Sequence, residues 1–162
     1  VIETGKELTA VLEMEFTSKS VIILAEDDPG HARLIQHGLA RSGIRNQIVH
    51  AENGRELLDM LEDYVGKTGK APPAIVLMDI RMPVMNGIEA LKHIREKSLL
   101  SAMPVIMLST SDDPGDVTHS YRAGCNAYVS KPVDFGEFKM AMTDLARFIQ
   151  RMEVPYRIES HG

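Results

Sequence analysis

Three short runs of continuous apolar residues punctuate the chain, Val21–Ala25, Ile75–Met78 and Val105–Leu108, and each is closed by polar residues. Runs of this length without alternation predict strands buried on both faces. Gln47–Ala51 and Ala127–Val129 are weaker runs, expected nearer the edges of a sheet. Between them lie Pro29–Ser42, Gly54–Tyr64, Gly87–Lys97, Pro114–Ala123 and Phe135–Arg151, where apolar positions recur at helical spacing. On the last of these, Phe138, Met142, Leu145, Ile149 and Met152 fall on one stripe, which predicts a helix packed on a sheet.

The helix starts carry their own chemical marks. Asp28 before Pro29 and Asp113 before Pro114 each give a capping carboxylate followed by proline at the first helical position, where the missing N–H costs nothing. Asn53 with Glu56, Asn86 with Glu89 and Asp134 with Glu137 place a cap and an acidic residue three apart. Strict alternation of strands and helices implies parallel strands joined by right-handed crossovers, with helices on both faces. The predicted fold is therefore a doubly wound α/β sheet of five strands, whose functional groups gather at the carboxyl ends of the strands.

Composition narrows the function. With 162 residues the chain suits one domain with a real core. Hydrophobic content of 44% and charged content of 25% are those of a globular protein, and no apolar run is long enough to span a bilayer. Glu3, Lys6, Glu7, Glu13 and Glu15 give the first twenty residues neither the basic start nor the apolar centre of a secretory signal, so a cytoplasmic protein is expected. Cys125 is single, which excludes an internal disulfide and fits a reducing compartment. A net charge of −5 without a dense basic cluster argues against DNA binding and for protein partners. The six histidines show no ligand spacing, which argues against zinc, and the ten methionines read as adaptable packing.

The residues just after the strong strands are Glu26, Asp27 and Asp28 after the first, Asp79 after the third, Ser109 and Thr110 after the fourth and Lys131 after the fifth. In the predicted fold they converge. Carboxylates gathered in one pocket repel unless a cation compensates or a pKa rises. Hard oxygens at an open, wet site suit Mg²⁺, which keeps several waters and accepts phosphate oxygens. A metal-dependent phosphoryl site is the expectation.

Glu26-Asp27-Asp28, then Asp79-Ile80-Arg81-Met82-Pro83-Val84-Met85-Asn86-Gly87, then Ser109, then Lys131-Pro132 resemble the ordered signature of response-regulator receiver domains, over about residues 19 to 150. The resemblance implies a flavodoxin-like strand order 2-1-3-4-5 and a phosphoryl group accepted on Asp79 from a histidine kinase. It implies Mg²⁺ held by Asp27 directly, by Glu26 directly or through water, by Asp79 and by the backbone carbonyl of Arg81. Lys131 would pair with Asp79 and then with the phosphoryl oxygens, and a cis bond before Pro132 would aim it inward. Ser109 would donate its hydroxyl to the phosphoryl group, and Tyr128 would rotate in behind it as the second half of a switch. The helix from Pro114 should then move. Such a protein catalyses its own phosphorylation and slow dephosphorylation as a signalling device rather than as a turnover enzyme.

Finer features, Pro29-Gly30-His31-Ala32, Ser109-Thr110-Ser111-Asp112-Asp113, Tyr121–Tyr128 and Lys131-Pro132-Val133-Asp134-Phe135, are similar to the stand-alone regulators that accompany phytochrome-type sensor histidine kinases. That subgroup implies a homodimer through the last helix and the tail, where Val154, Pro155, Tyr156 and Ile158 lie. The expected organisation is an extension at 1–18, the receiver at 19–151 and a tail at 152–162. Leu8, Val11, Leu12 and Met14 hint at a short helix in the extension. Twelve residues after Gln150 are too few for an output domain, so output is expected through protein contact or phosphorelay. A receiver cut from a hybrid kinase or multidomain regulator is the alternative. Arg81 is expected to contact the phosphoryl oxygens or a partner, while Ser111 and Asp112 read as plain loop before the Asp113 cap. An aspartyl-phosphate phosphatase would want a carboxylate where Arg81 stands. A nucleotide- or flavin-binding protein would want a glycine-rich loop where Glu26-Asp27-Asp28 stands.

Overall fold

The computed structural model describes Leu8, Ala10 and residues 20–155. Its elements, in chain order, are β1 (Val21–Ala25), α1 (Pro29–Arg41), β2 (Ile48–Ala51), α2 (Gly54–Thr68), β3 (Ala74–Met78), α3 (Gly87–Glu96), β4 (Val105–Ser109), α4 (Pro114–Ala123), β5 (Ala127–Ser130) and α5 (Phe135–Arg151). The strands form one parallel sheet in the order β2-β1-β3-β4-β5, so the two weaker apolar runs do lie at the edges.

Strand pleating sorts the side chains between two cores. Ile22, Leu24, Ile75, Leu77, Ile106 and Leu108 face α1 and α5, meeting Ile35, Leu39, Met142, Leu145 and Ile149. Val21, Ile23, Val76, Met78, Val105 and Met107 face the other way, onto Leu57, Leu58, Leu61, Leu91 and Ile94 of α2 and α3. The strands are apolar throughout because both faces are covered. Leu8 is helical and 1% exposed in this second core; Val11, Leu12 and Met14 of the expected short helix lie outside the described residues.

All five capping residues act as their sequence positions predict. Asp28, Asn53, Asn86, Asp113 and Asp134 each accept a backbone N–H from the first turn of the helix they precede. Helix α2 runs one turn beyond the expected Tyr64, to Thr68, because its terminator is Gly69 in the left-handed conformation. Helix α4 differs from the others: Ser120 is its single buried residue, so apolar packing holds it weakly.

Two loop features position the site. Gly87 opens α3 where a Cβ would overlap the Asp79 carbonyl oxygen, so a larger residue would displace the end of β3. Just before it, the Met85 N–H donates to the Pro83 carbonyl at 2.7 Å across Val84, whose φ is 66°. A β-branched residue is strained in that region, by about 1–2 kcal/mol, and Val84 is 82% exposed, so packing returns nothing for the strain. Val84→Gly is expected to raise the melting temperature, corresponding to a gain of up to about 1 kcal/mol after glycine's greater unfolded-state entropy; an unchanged or lower melting temperature would contradict the strain.

Candidate functional site

The register of the sheet brings the expected residues to one edge. Ala25 stands beside Met78 and Met78 beside Met107, so the residues that follow β1 and β3 emerge side by side. The Asp79 N–H donates to the Ala25 carbonyl at 2.9 Å and the Lys131 N–H to the Ser109 carbonyl at 2.7 Å, extending the sheet pairing into the site. Among the described residues, Glu26, Asp27 and Asp79 form an acidic group whose carboxylate oxygens lie within 4.8 Å of one another. Glu26 and Asp79 are buried and Asp27 is exposed, so the cluster opens to solvent on one side.

Lys131 answers this charge. Its Nζ donates to Glu26 Oε2 at 2.7 Å and lies 3.8 Å from Asp79 Oδ2, with the Lys131 and Glu26 side chains 3% and 1% exposed. The expected pairing with Asp79 is therefore the longer of two contacts, and Glu26 is the first partner. The expected cis bond before Pro132 is corrected as well: among the described residues no peptide bond is cis. Lys131 is aimed inward instead by its backbone bond to Ser109, which continues the β4–β5 pairing.

Burial pushes the Glu26 carboxyl above its ordinary range; the Lys131 hydrogen bond draws it back and the neighbouring Asp79 raises it again. Glu26 is also tied down elsewhere, since its Oε1 accepts the Asp28 N–H at 3.1 Å and its carbonyl lies 2.6 Å from His50 Nε2. Three carboxylates against one buried ammonium leave an anionic pocket made of hard oxygen donors. That donor set fits a divalent cation of the Mg²⁺ type.

Asp79 Oδ1 accepts the Ile80 N–H at 2.8 Å. Ser109 is 1% exposed, with its Oγ 3.3 Å from the Ser111 nitrogen. Tyr128 packs against the second core, its hydroxyl donates to the Ser111 carbonyl at 2.7 Å, and it lies within reach of Ser109. Burial raises the Tyr128 phenol, while its bonds to Ser109 and Ser111 lower it. The hydroxyl thus anchors the ring to the loop that follows β4.

Arg81 is 73% exposed, and its Nη2 donates to Asp116 Oδ2 at 3.0 Å. One further expectation needs correction. Ser111 is no plain loop residue, because its Oγ donates to the same Asp116 oxygen at 2.7 Å. Sequence reasoning also missed Arg95, whose guanidinium donates to the carbonyls of Gly124, Met103 and Ser101 and to Asn126 Oδ1, tying α3 to the loop before β4 and to the loop between α4 and β5.

A parallel sheet of this order, with an acidic cluster and a buried lysine at its carboxyl edge, defines a receiver-type domain of two-component signalling. The chain belongs to the family of the response regulator receiver domain, whose model matches residues 22–143, and it is CheY-like. It is 33% identical to the probable methanogenesis regulatory protein FilR2 of Methanothrix harundinacea, over 89% of this chain and 91% of that one. Among solved structures it is similar to a response regulator receiver domain from Rhodospirillum rubrum, with a TM-score of 0.78 and 36% identity over 83% of this chain and 96% of that one. It is also similar to the phosphorylated cyanobacterial phytochrome response regulator RcpA, with a TM-score of 0.77 and 28% identity over 86% and 100%. No helix among the described residues is long and apolar enough to cross a membrane.

Proposed function

We propose that this chain is a stand-alone receiver that takes a phosphoryl group onto Asp79 from a phosphohistidine of a sensor kinase, with Mg²⁺, and signals by protein contact or phosphorelay. The observation that carries the reading is Asp79 set between two further carboxylates and a buried lysine. With Oδ1 engaged by the Ile80 N–H, Oδ2 is the oxygen that attacks phosphorus. The P–N bond of the phosphohistidine breaks, the phosphoryl group moves to Oδ2, and the imidazole leaves and takes up a proton. Bound Mg²⁺ supplies neutralisation of the phosphoryl oxygens. Asp27, Glu26, Asp79 and the Arg81 carbonyl are the groups that would hold it. Lys131 shifts its charge toward the new oxygens and the Ser109 hydroxyl donates to one of them. Tyr128 then settles behind Ser109. A small acyl-phosphate donor replaces the kinase in the test: intact mass should show one added phosphoryl group only when Mg²⁺ is present, and no uptake would refute the reading.

Metal binding should show in stability too. Mg²⁺ at a hundredfold excess over its dissociation constant is expected to stabilise the fold by about 2.7 kcal/mol. The rise in melting temperature should vanish in Asp27→Asn. Because the Glu26 pKa is raised on folding, its protonated form favours the fold in acid and that contribution is lost as pH rises through the raised pKa. The metal needs the ionised form, so its benefit should fade as pH falls through the same value. A metal effect that persists undiminished in acid would contradict these ligands.

The similarity to RcpA supports a kinase of the phytochrome type as partner. Leu34, Val133 and Phe135 are exposed around a cavity of about 250 Å³ that reaches Lys131, an apolar rim on which a kinase helix can seat beside the acceptor. Met140 and Phe148 are exposed on α5 and support a homodimer through that helix and the tail, although Tyr156 and Ile158 lie outside the described residues. Sedimentation at micromolar concentration should show the dimer, and Phe148→Asp should return it to monomer; wild type running as monomer would oppose it. A cytoplasmic setting accords with a single, buried thiol at Cys125.

A further inference from the structure

One carboxylate that the phosphoryl chemistry does not use gathers side chains from two other parts of the site. Asp116 lies in the first turn of α4. Its Oδ2 accepts both the Ser111 hydroxyl at 2.7 Å and the Arg81 guanidinium at 3.0 Å. Ser111 in turn gives its carbonyl to the Tyr128 hydroxyl at 2.7 Å and its N–H to the buried Ser109 Oγ at 3.3 Å. The two residues that stand two places beyond Asp79 and Ser109 are therefore both held by α4. That helix buries no apolar side chain of its own, since Ser120 is its one buried residue, so these polar bonds supply much of what fixes its first turn. The Ser111 hydrogen bond, and after it the charge of Arg81, hold the Asp116 carboxyl below its usual range, in keeping with a carboxylate bound on both sides.

We infer that Asp116 is a positioning residue, which draws the Arg81 side chain to α4 and keeps it from the phosphoryl group of Asp79, so that the seating of α4 sets the lifetime of that group. The inference rests on the reading of Asp79 as acceptor. Arg81 follows Asp79 by two residues and is otherwise open to solvent. Released from Asp116, its long cationic side chain is free to turn to the phosphoryl oxygens on Asp79, two residues before it, and there it shields phosphorus from attacking water. The same release frees Ser111, and with it the anchor of the Tyr128 hydroxyl. A partner that shifts α4 would thereby lengthen the phosphorylated state.

The test compares decay of the phosphoryl group, loaded from a small acyl-phosphate donor with Mg²⁺, in wild type, Asp116→Asn, Arg81→Ala and the double variant. Asp116→Asn keeps the shape and the Ser111 partner but loses the ion pair. It is expected to slow decay roughly fivefold, the rate factor of one hydrogen bond of ordinary net strength. Arg81→Ala supplies the background without the guanidinium, in which Asp116→Asn should have no further effect on decay. Asp116→Glu should restore the faster decay. Hydrogen exchange without donor is a second readout: Asp116→Ala, which also removes the acceptor of the Ser111 hydroxyl, should speed exchange of the Ser111 and Asp113 amides. Wild-type decay in Asp116→Asn, or equal slowing with and without Arg81, overturns the inference while leaving Asp79 as acceptor. Failure of wild type to take up any phosphoryl group overturns the reading of Asp79 and this inference with it.

Discussion

Asp79→Asn is expected to end phosphoryl uptake, lowering its rate by roughly 10⁴-fold or more, the scale on which loss of a covalent nucleophile is felt. An amide has no anionic oxygen to attack phosphorus, and the neutral side chain would also be a poorer partner for Lys131. The substitution should not unfold the domain. It removes one of three crowded carboxylates, so repulsion falls, and the isosteric amide oxygen can still accept the Ile80 N–H now bonded at 2.8 Å. A melting temperature equal to or above that of wild type, together with no mass gain, would make the defect chemical. Uptake at the wild-type level would mean that another residue takes the phosphoryl group.

Lys131→Met should have the largest effect on stability. The lysine and Glu26 are both almost wholly buried, 2.7 Å apart. Removing one partner of such a pair leaves a buried charge uncompensated, at a cost of about 3–5 kcal/mol. Methionine fills the space, so the loss is electrostatic rather than a cavity. The pH dependence identifies the culprit. The Glu26 carboxyl is already raised by burial and drawn down by the Lys131 bond; without that bond it rises further. A group with a raised folded pKa supports the fold below its unfolded pKa and loses that support as pH rises through the folded value. The deficit of Lys131→Met should therefore be largest at neutral pH and shrink in acid, as read from urea unfolding midpoints. An equal deficit across that range would point to packing instead of charge.

What the sequence revealed and what it hid separate by the range of the interactions. The strands were legible because burial on both faces leaves no polar residue inside them, and the edge position of β2 and β5 showed in their weaker apolar character. The helix starts were legible because Asp28, Asn53, Asn86, Asp113 and Asp134 cap through bonds to neighbours two or three residues away. The gathering of Glu26, Asp27, Asp79, Ser109 and Lys131 followed from topology, since all lie just beyond or at strand ends.

Contacts set by side-chain reach across the fold were not legible. Nothing near Asp116 in the chain announces that Arg81, thirty-five residues earlier, ends on its carboxylate. Arg95 spans twenty-nine to thirty-one residues to Gly124 and Asn126 in the same way. Whether Lys131 prefers Glu26 or Asp79 depends on a difference of about an ångström between two buried carboxylates, which no spacing rule resolves. The strained Val84 left a faint signal in its place between Pro83 and Met85, within a loop that must turn tightly enough to bring Gly87 against Asp79.

The most direct measurement locates the phosphoryl group itself. Borohydride reduces an aspartyl phosphate to homoserine and leaves free aspartate untouched. After loading with a small acyl-phosphate donor and Mg²⁺, reduction and peptide mass mapping should find homoserine at position 79 and nowhere else. Homoserine at position 27 or 28 instead, or none in a chain that has gained phosphoryl mass, would contradict Asp79 as the acceptor.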